Sequence, residues 1–234
     1  MEKLTNEVKL SGPILEYAKR RIKAERIYPG TLIATEGPDG VGKTTLVRAL
    51  AKKFNATALS TPINKTSKES RSKVDKLAFQ QPLERFRFFT KSNILDSIEI
   101  EKRLARGETI FLDRFELSTI VGNLALGAEL NTAEEVIQDI RNELQVVLPN
   151  ITILLTADGE ERHKRLTKRL KNKEKLPDHN MDFDTILQNN IVELYSQLVP
   201  YGIIEIDTNQ MSINQVVEKT IDKLAKSGFN LHSY

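Results

Sequence analysis

Residues 37–44 read Gly-Pro-Asp-Gly-Val-Gly-Lys-Thr and match the phosphate-loop pattern G-x-x-x-x-G-K-[ST] at every fixed position. Glycines in this pattern let backbone N–H groups turn toward phosphate oxygens without a Cβ in the way. Lys43 supplies a cation for the β- and γ-phosphates, and Thr44 supplies a hydroxyl for Mg²⁺. The segment therefore predicts a loop that binds a nucleoside triphosphate, taken as ATP, through Gly37, Pro38, Asp39, Gly40, Val41, Gly42, Lys43, Thr44 and Thr45.

A second polar pair follows an apolar stretch further along the chain. Ile110-Phe111-Leu112 ends in Asp113, and Arg114 comes next. A carboxylate at the end of a strand beside the phosphate loop suits a second Mg²⁺ ligand, usually through water. An arginine there can hold a second phosphate with two N–H groups. An Asp–Arg pair that caps the following helix is the alternative interpretation.

These groups need a scaffold, and the alternation of strand-like and helix-like stretches predicts one. Helical patterns begin near Lys43 and cover Pro82–Arg106 and Ser212–Lys226. The pattern predicts an α/β, three-layer fold of the P-loop NTPase type, with a five-stranded parallel sheet flanked by helices. The expected strands are Thr31–Glu36, Ala56–Pro62, Thr109–Asp113, Ile151–Thr156 and Ile203–Asp207.

Residues 1–29 precede the predicted domain, which spans residues 30–234. Ile14, Leu15, Ala18 and Ile22 form a weak amphipathic stripe in the first segment, which predicts an accessory helix packed on the domain. Targeting and partner binding are the alternatives for this segment.

Composition excludes several classes of protein. The chain has 234 residues, no cysteine, and a net charge of +3 from 35 Lys plus Arg against 32 Asp plus Glu. The lack of cysteine excludes disulfides, Cys-ligated metals and thiol nucleophiles. The balanced charge gives no reason to expect nucleic acid or an anionic membrane as partner, and no apolar run approaches the roughly 20 residues of a membrane span. The first ten residues contain Glu2 and Glu7 and lack the apolar segment of a secretory signal. We therefore expect no such signal and a cytoplasmic location.

Together these segments resemble the thymidylate kinase family of P-loop nucleoside monophosphate kinases. The similarity lies in Glu36–Thr45 (EGPDGVGKTT), Leu112–Thr119 (LDRF…ST) and the basic stretch Glu160–Lys175, and it runs from about Thr31 to Lys226. Within the family, the chain most resembles the mitochondrial-type UMP/CMP kinase branch, on the basis of Ser60-Thr61-Pro62, Phe88–Asn93 and Thr156–Arg162. The resemblance implies ATP and Mg²⁺ as cofactors, a nucleoside monophosphate as acceptor, a homodimer, and an arginine-bearing lid over about residues 160–182.

The resemblance also implies roles for single residues. Asp39 would point from the phosphate loop toward the acceptor sugar, and Arg114 would clamp the acceptor phosphate as a catalytic residue. Phe88 would stack on the acceptor base. Asn123 would approach the same base, where the family usually has a glutamine. By their own surroundings in the sequence, Phe88 is typical of a core residue and Asn123 of a helix surface.

Three arginines form the candidate lid. Arg162, Arg165 and Arg169 are three and four residues apart, which places them on one side of a helix. Some family members carry a catalytic arginine in the phosphate loop directly after the acid, where this chain has Gly40. We therefore expect Arg162 to contact ATP and Arg165 and Arg169 to stabilise the transferred phosphoryl group. A solvated basic helix face is the alternative.

Departures from the family pattern leave several acceptors open. The chain has Ser60-Thr61-Pro62 where the family commonly has Arg-Glu-Pro. It has Ser92 where typical thymidylate kinases have an arginine that helps to read the base. Arg85 or Arg87 could compensate for that loss. We expect dTMP first, and CMP, UMP or their deoxy forms as alternatives. A deoxynucleoside kinase would need a general base near Ser60 and Thr61, where the chain has no carboxylate. A non-catalytic nucleotide sensor is the remaining alternative, which intact Lys43, Thr44, Asp113 and Arg114 disfavour.

Overall fold

Five parallel strands form one sheet in the order β2-β3-β1-β4-β5. The computed structural model describes residues 9–129 apart from 11, 26 and 77–79, then residues 146–171 and 184–229. The strands are β1 (Thr31–Glu36), β2 (Thr57–Ser60), β3 (Thr109–Asp113), β4 (Ile151–Thr156) and β5 (Ile204–Asp207). The five-stranded parallel sheet predicted from the sequence is thus confirmed.

Helices cover both faces of the sheet. They are α1 (Gly12–Arg20), α2 (Lys43–Lys53), α3 (Lys65–Asp75), α4 (Pro82–Ala105), α5 (Glu116–Ala125), α6 (Gly159–Lys171), α7 (Thr185–Ser196) and α8 (Ile213–Lys226). Within the ranges given above, none of them is both long and apolar enough to cross a lipid bilayer.

The central strand β1 separates two apolar layers because its side chains alternate between the faces of the sheet. Ile33 packs with Leu50 of α2 and Val216 of α8 on one face. Leu32 packs with Leu104 of α4 on the other face. All six residues of β1 are buried, as expected for a strand covered by helices on both sides.

Two strands differ from the prediction by one or two residues at their ends. β2 begins at Thr57 because the N–H of Ala56 bonds to Ala51 in the turn after α2. It ends at Ser60, before the cis Thr61–Pro62 bond, and proline offers no N–H for further pairing. β5 begins at Ile204 rather than at Ile203.

The helix ends follow the capping residues of the sequence. Ser212 accepts the N–H of Gln215, and the side chain of Gln215 returns to the N–H of Ser212, so α8 begins with a capping box. At the start of α3, the side chain of Asn64 accepts the N–H of Ser67, a cap that the sequence analysis did not identify. α4 ends at Ala105, with Arg106 as its C-cap.

The first 29 residues contain the helix that the apolar stripe predicts. Ile14, Ala18 and Ile22 are buried in a cluster with residues of α5 and α7, and Leu15 packs at its margin. The described part of the segment therefore packs on the domain.

Candidate active site

The phosphate loop follows β1 and ends where α2 begins, so the helix N-terminus faces the loop interior. Gly40 has a φ of +84°, and a Cβ at this position would lie 2.9 Å from the carbonyl oxygen of Arg162. The backbone of α6 therefore lies against the loop and leaves no space for a side chain at position 40. The arginine that some family members carry there would not fit this packing.

Lys43 lies buried at the centre of the loop. Its Nζ donates to the carbonyl oxygens of Gly37 (2.9 Å) and Pro38 (2.6 Å), and it lies 3.8 Å from Oδ1 of Asp39. Burial and the nearby charge of Arg114 lower the pKa of Lys43 from 10.5 to about 8, against the opposing effect of Asp39. The loop thus holds a cation whose charge is only partly balanced.

Thr44 and Asp113 meet at the ends of α2 and β3. Oγ1 of Thr44 donates to Oδ2 of Asp113 at 2.5 Å. This contact arises because β1 and β3 pair in parallel with Thr35 opposite Asp113. The other oxygen of Asp113, Oδ1, is buried and has no hydrogen-bond partner among the described residues. A hydroxyl and an unsatisfied carboxylate oxygen at this place fit a Mg²⁺ ion.

Arg114 turns sharply out of β3, with a positive φ of 65° that a non-glycine residue rarely adopts. Its guanidinium forms an ion pair with Asp39 and donates to Oγ of Ser118 at 3.2 Å. Burial alone would lower the pKa of Arg114, but Asp39 and the other acidic groups nearby raise it above its ordinary value. The residue is therefore a permanent cation beside the phosphate loop.

Glu36, the last residue of β1, is a site residue that the sequence analysis missed. Its carboxylate accepts from the backbone N–H of Phe115 (2.9 Å), from Tyr195 (3.1 Å) and from Ser118. Burial raises the pKa of Glu36, and these hydrogen bonds oppose the shift. The available signal was a charged residue that ends an otherwise uncharged strand directly before the loop.

A cleft opens beside Arg114 among helices α3, α4, α5 and α7. Its walls include Asp39, Thr61, Arg71, Asp75, Arg85, Phe89, Arg114, Ser118, Thr119, Gly122, Leu187 and Gln188. The cleft therefore combines a cationic end at the phosphate loop with an aromatic and charged end at α3 and α4.

Arg85 organises the far end of this cleft. Its Nε donates to Oδ1 of Asp75 (3.1 Å) and its Nη1 to Oδ1 of Asn123 (2.9 Å). Its guanidinium carbon lies 4.6 Å from the centre of the Phe89 ring. The second oxygen of Asp75 accepts from Nε of Arg71 at 3.2 Å. One carboxylate thus holds two guanidinium groups that both face the cleft.

The aromatic side chain that lines the cleft is one residue further along α4 than predicted. Phe89 lines the cleft, whereas Phe88 packs edge-on against Phe89 with ring centres 5.2 Å apart. Asn123 is fully buried, so the expectation of a helix-surface residue is wrong. Its Nδ2 donates to the carbonyl oxygen of Thr119 at 2.6 Å, and its Oδ1 faces Arg85. α5 buries this face because it packs between α4 and α7.

The three candidate lid arginines have different surroundings. Arg162 is buried, donates to Oε1 of Gln188 at 2.8 Å, and has an Nε without a hydrogen-bond partner among the described residues. Arg165 donates to the carbonyl oxygens of Val41 (3.3 Å) and Thr208 (2.7 Å). Arg169 is half-buried and lines neither cleft. The rest of the lid predicted over about 160–182 lies outside the described residues from position 172 onward.

A second cleft lies beside Arg165. Its walls are Val41, Gly42, Thr45, Glu161, Arg165, Thr208, Met211, Ile213 and Val216. Two clefts therefore open beside the phosphate loop, and each has an arginine in its wall.

Comparisons with known proteins agree with this geometry. The family model "Thymidylate kinase" matches residues 35–220. Cytidylate kinase of Clostridium tetani is 26% identical over 220 residues, which cover 84% of this chain and 94% of that protein. A probable thymidylate kinase of Archaeoglobus fulgidus is 32% identical over 145 residues, covering 59% of this chain and 70% of that protein. The solved thymidylate kinase of Candida albicans superposes with a TM-score of 0.60 at 19% identity over 85% of this chain and 92% of its own, which supports the P-loop NTPase fold.

Proposed function

The chain belongs to the thymidylate kinase family of ATP-dependent nucleoside monophosphate kinases, and on this premise we propose that it phosphorylates a pyrimidine nucleoside monophosphate, preferably dTMP. The observation that carries the proposal is the Arg114–Asp39 ion pair, where the phosphate loop meets the cleft beside Arg114. It puts a permanent cation where an acceptor phosphate would meet the γ-phosphate of ATP. In this role Asp39 orients Arg114 as well as facing the acceptor sugar.

The donor would occupy the phosphate loop and the cleft beside Arg165. Residues 37–45 would surround the phosphates, and Thr45, Arg165 and Thr208 would face the adenine nucleoside. Thr44 and Asp113 would hold Mg²⁺, which neutralises charge on the β- and γ-phosphates. The buried Nε of Arg162 has no hydrogen-bond partner among the described residues, so this lid arginine would have a donor available for phosphate. Arg165 would steady the loop through its carbonyl contacts, and Arg169 would contribute only after the lid moves.

The chemistry needs no general base. An oxygen of the acceptor phosphate attacks the γ-phosphorus of ATP, the bond to the bridging oxygen breaks, and ADP leaves as the nucleoside diphosphate forms. The attacking group is already an anion, so it needs cations and alignment rather than proton removal. Arg114 and Lys43 provide those cations from the two sides of the reacting phosphorus. Thr61 lies near the position where nucleoside kinases carry their general base. Here its hydroxyl donates to the carbonyl oxygen of Arg114 at 3.1 Å.

The side chains of Arg85 and Phe89 favour an acceptor whose pyrimidine base carries a carbonyl group at ring position 4. Phe89 offers a ring for stacking, which replaces the role first expected of Phe88. The guanidinium of Arg85 makes two hydrogen bonds to described residues and therefore keeps further N–H groups for a base oxygen. Thymine and uracil carry an acceptor oxygen there, whereas cytosine carries an amino donor. Both oxygens of Asp75 already accept from arginines, which disfavours them as partners for that amino group.

Asn123 would act on the base through Arg85. Its side-chain amide forms hydrogen bonds with Thr119 and Arg85 and does not line the cleft. It would therefore hold the guanidinium of Arg85 in place rather than contact the base itself. CMP or UMP is the second candidate acceptor, favoured by the similarity to the cytidylate kinase of Clostridium tetani. The cytoplasmic location, the homodimer and the absence of a nucleic-acid partner stay predictions from the sequence.

The test is an ADP-release assay with ATP and Mg²⁺ against dTMP, dUMP, UMP, CMP, dCMP, thymidine and deoxycytidine. We expect the highest kcat/KM with dTMP. A higher value with CMP or dCMP would favour the second candidate. Turnover of nucleosides alone, or of no acceptor, would contradict the proposal.

A variant of the base-reading arginine sharpens the test. Arg85→Gln should lower kcat/KM for dTMP about 10-fold and narrow the preference over dCMP, because a guanidinium-to-oxygen hydrogen bond is worth about 1.5–3 kcal/mol. Arg87→Gln is the matched control, since Arg87 is exposed on the same helix and pairs only with Glu84 among the described residues. Equal effects of the two substitutions would contradict the assignment of Arg85.

A further inference from the structure

Helix α1 lies outside the part of the chain that matches the family, which begins at residue 35. Its apolar side packs into one cluster with Leu117 and Val121 of α5 and Leu194 of α7. Family membership therefore gives this helix no role, while its packing connects it to two helices that line the acceptor cleft.

The contact with α5 is centred on a buried carboxylate. Glu116 is the first residue of α5, and only 4% of it is exposed. Tyr17 donates its hydroxyl to Oε1 of Glu116 at 2.7 Å, and Nε of Arg21 lies 3.3 Å from Oε2. The guanidinium of Arg21 also lies over the Tyr17 ring at 4.3 Å. Among the described residues, Tyr17 and Arg21 are the polar partners of this carboxylate side chain, and both belong to the first 29 residues.

Glu116 lies between two groups of the acceptor side. Arg114 precedes it by two residues, and Ser118, which receives a hydrogen bond from Arg114, follows it by two. Any shift of the first turn of α5 would therefore move the clamp and its partner together.

The same segment is tied to two further elements. The backbone N–H of Leu10 donates to Oε1 of Gln197 (2.8 Å), at the end of α7. Oγ1 of Thr152 in β4 donates to the carbonyl oxygen of Ile22 at 2.6 Å. α7 supplies Gln188 to the cleft and Tyr195 to the carboxylate of Glu36. Residues 10–22 thus bridge α5, α7 and the sheet.

We propose that residues 10–22 position the acceptor clamp: Tyr17 and Arg21 hold Glu116, which fixes the first turn of α5 and with it Arg114 and Ser118. The inference rests on the proposed function, because it assigns Arg114 to the acceptor phosphate. A carboxylate buried without Arg21 would move toward water or take up a proton, and either change would displace the turn. Misplacement of a reacting group by about 1 Å can cost 10²-fold in rate.

The experiment compares the steady-state kinetic constants of the full chain and four variants. Arg21→Leu should raise the KM for the acceptor about 10-fold and leave the KM for ATP unchanged, because the disturbance falls on the clamp. Arg21→Leu combined with Glu116→Gln should restore most of the acceptor KM, since the neutral amide needs no cation and can still accept from Tyr17. Arg20→Leu is the matched control on the exposed side of α1.

Tyr17→Phe is the milder variant, in case Arg21→Leu folds poorly, and it should raise the acceptor KM by a smaller factor in the same direction. A lower melting temperature with unchanged acceptor KM in both variants would overturn the inference and leave α1 a purely structural helix. Equal loss in the single and the double variant would overturn it as well. A wild-type enzyme that uses no monophosphate would contradict the proposed function and this inference together, whereas an active wild type with unaffected variants contradicts the inference alone.

Discussion

The donor and acceptor sides of the site hold charge with different parts of the chain. On the donor side, one contiguous loop of eight residues includes Lys43, and main-chain carbonyl oxygens accept the hydrogen bonds from its Nζ. On the acceptor side, side chains from α3, α4, the segment after β3 and the phosphate loop form ion pairs, as in Asp75–Arg85 and Asp39–Arg114. Main-chain contacts depend on the path of the backbone, whereas side-chain contacts depend on residue identity.

This difference explains how one fold can serve several acceptors. A base-reading side chain can be exchanged at a single position without disturbing the phosphate loop. The loop allows no such exchange, because even a Cβ at Gly40 would meet the backbone of α6. Four variants or conditions probe the two sides, and the largest effect is expected at the centre of the loop.

Lys43→Ala removes the cation that both sides share. We expect kcat to fall by roughly 10³-fold or more, because a preorganised charge at the transferred phosphoryl group is lost. Single-turnover kinetics with ATP and dTMP would measure the chemical step. The melting temperature should stay near that of the wild type, since a buried and partly compensated charge is removed. Retention of a tenth of the activity would contradict the central role of Lys43.

Arg114→Ala should separate the two sides. The kcat/KM for the acceptor should fall by about 10²-fold, in line with the loss of a charge-assisted contact to phosphate. The KM for ATP should stay within about twofold, because the donor contacts come from the loop backbone. Arg114→Lys keeps the charge and should recover part of the loss. An effect on ATP alone would reverse the assignment of the two clefts.

Gly40→Ala should damage the donor side. The added Cβ would meet the backbone of Arg162, and the positive φ is strained for alanine, so we expect a KM for ATP about 10-fold higher. Gly107→Ala is a matched control, because Gly107 has nearly the same φ (+83°) but open space around it, far from the site. Equal ATP constants in both variants would show that the contact with α6 does not matter.

The pH dependence of the free enzyme gives the smallest effect. In the proposed mechanism Lys43 acts in its protonated form, and burial lowers its pKa to about 8. The kcat/KM for ATP should therefore be constant near neutral pH and drop to about half near pH 8. Asp39→Asn removes an opposing charge and should shift this midpoint to lower pH. A profile that stays flat to pH 10 would contradict the pKa of Lys43.

The phosphate loop could be predicted from the sequence because its residues are contiguous. Asp113 and Arg114 follow directly from the end of a predicted strand, and parallel pairing of β1 with β3 brings them beside the loop. The acceptor side depends on contacts between distant segments, such as Asp75 with Arg85, and no local pattern marks them. Phe88 was predicted in place of Phe89 because three phenylalanines occur within four positions of α4. Adjacent residues on a helix point in directions about 100° apart, so an error of one residue changes the face.

Glu36 and helix α1 show two further limits. Glu36 was included in the loop motif by similarity, but its three hydrogen bonds come from α5 and α7 and were invisible without the fold. The apolar stripe of the first segment predicted a packed helix correctly. Its pairing with Glu116 could not be predicted, since a periodic stripe indicates that a face is buried but not which partner buries it.

The bridge formed by residues 10–22 also bears on the order in which the chain folds. The hydrogen bond from Leu10 to Gln197 spans 187 residues, and that from Thr152 to Ile22 spans 130. Contacts of such sequence separation form late, and during synthesis α1 has no α7 to pack on until most of the chain has emerged. The apolar stripe of α1 thus leaves the ribosome before α5 and α7, which cover it, and stays exposed until α7 has emerged. We expect chains shortened before α7 to aggregate through this helix, even where their phosphate loop is complete.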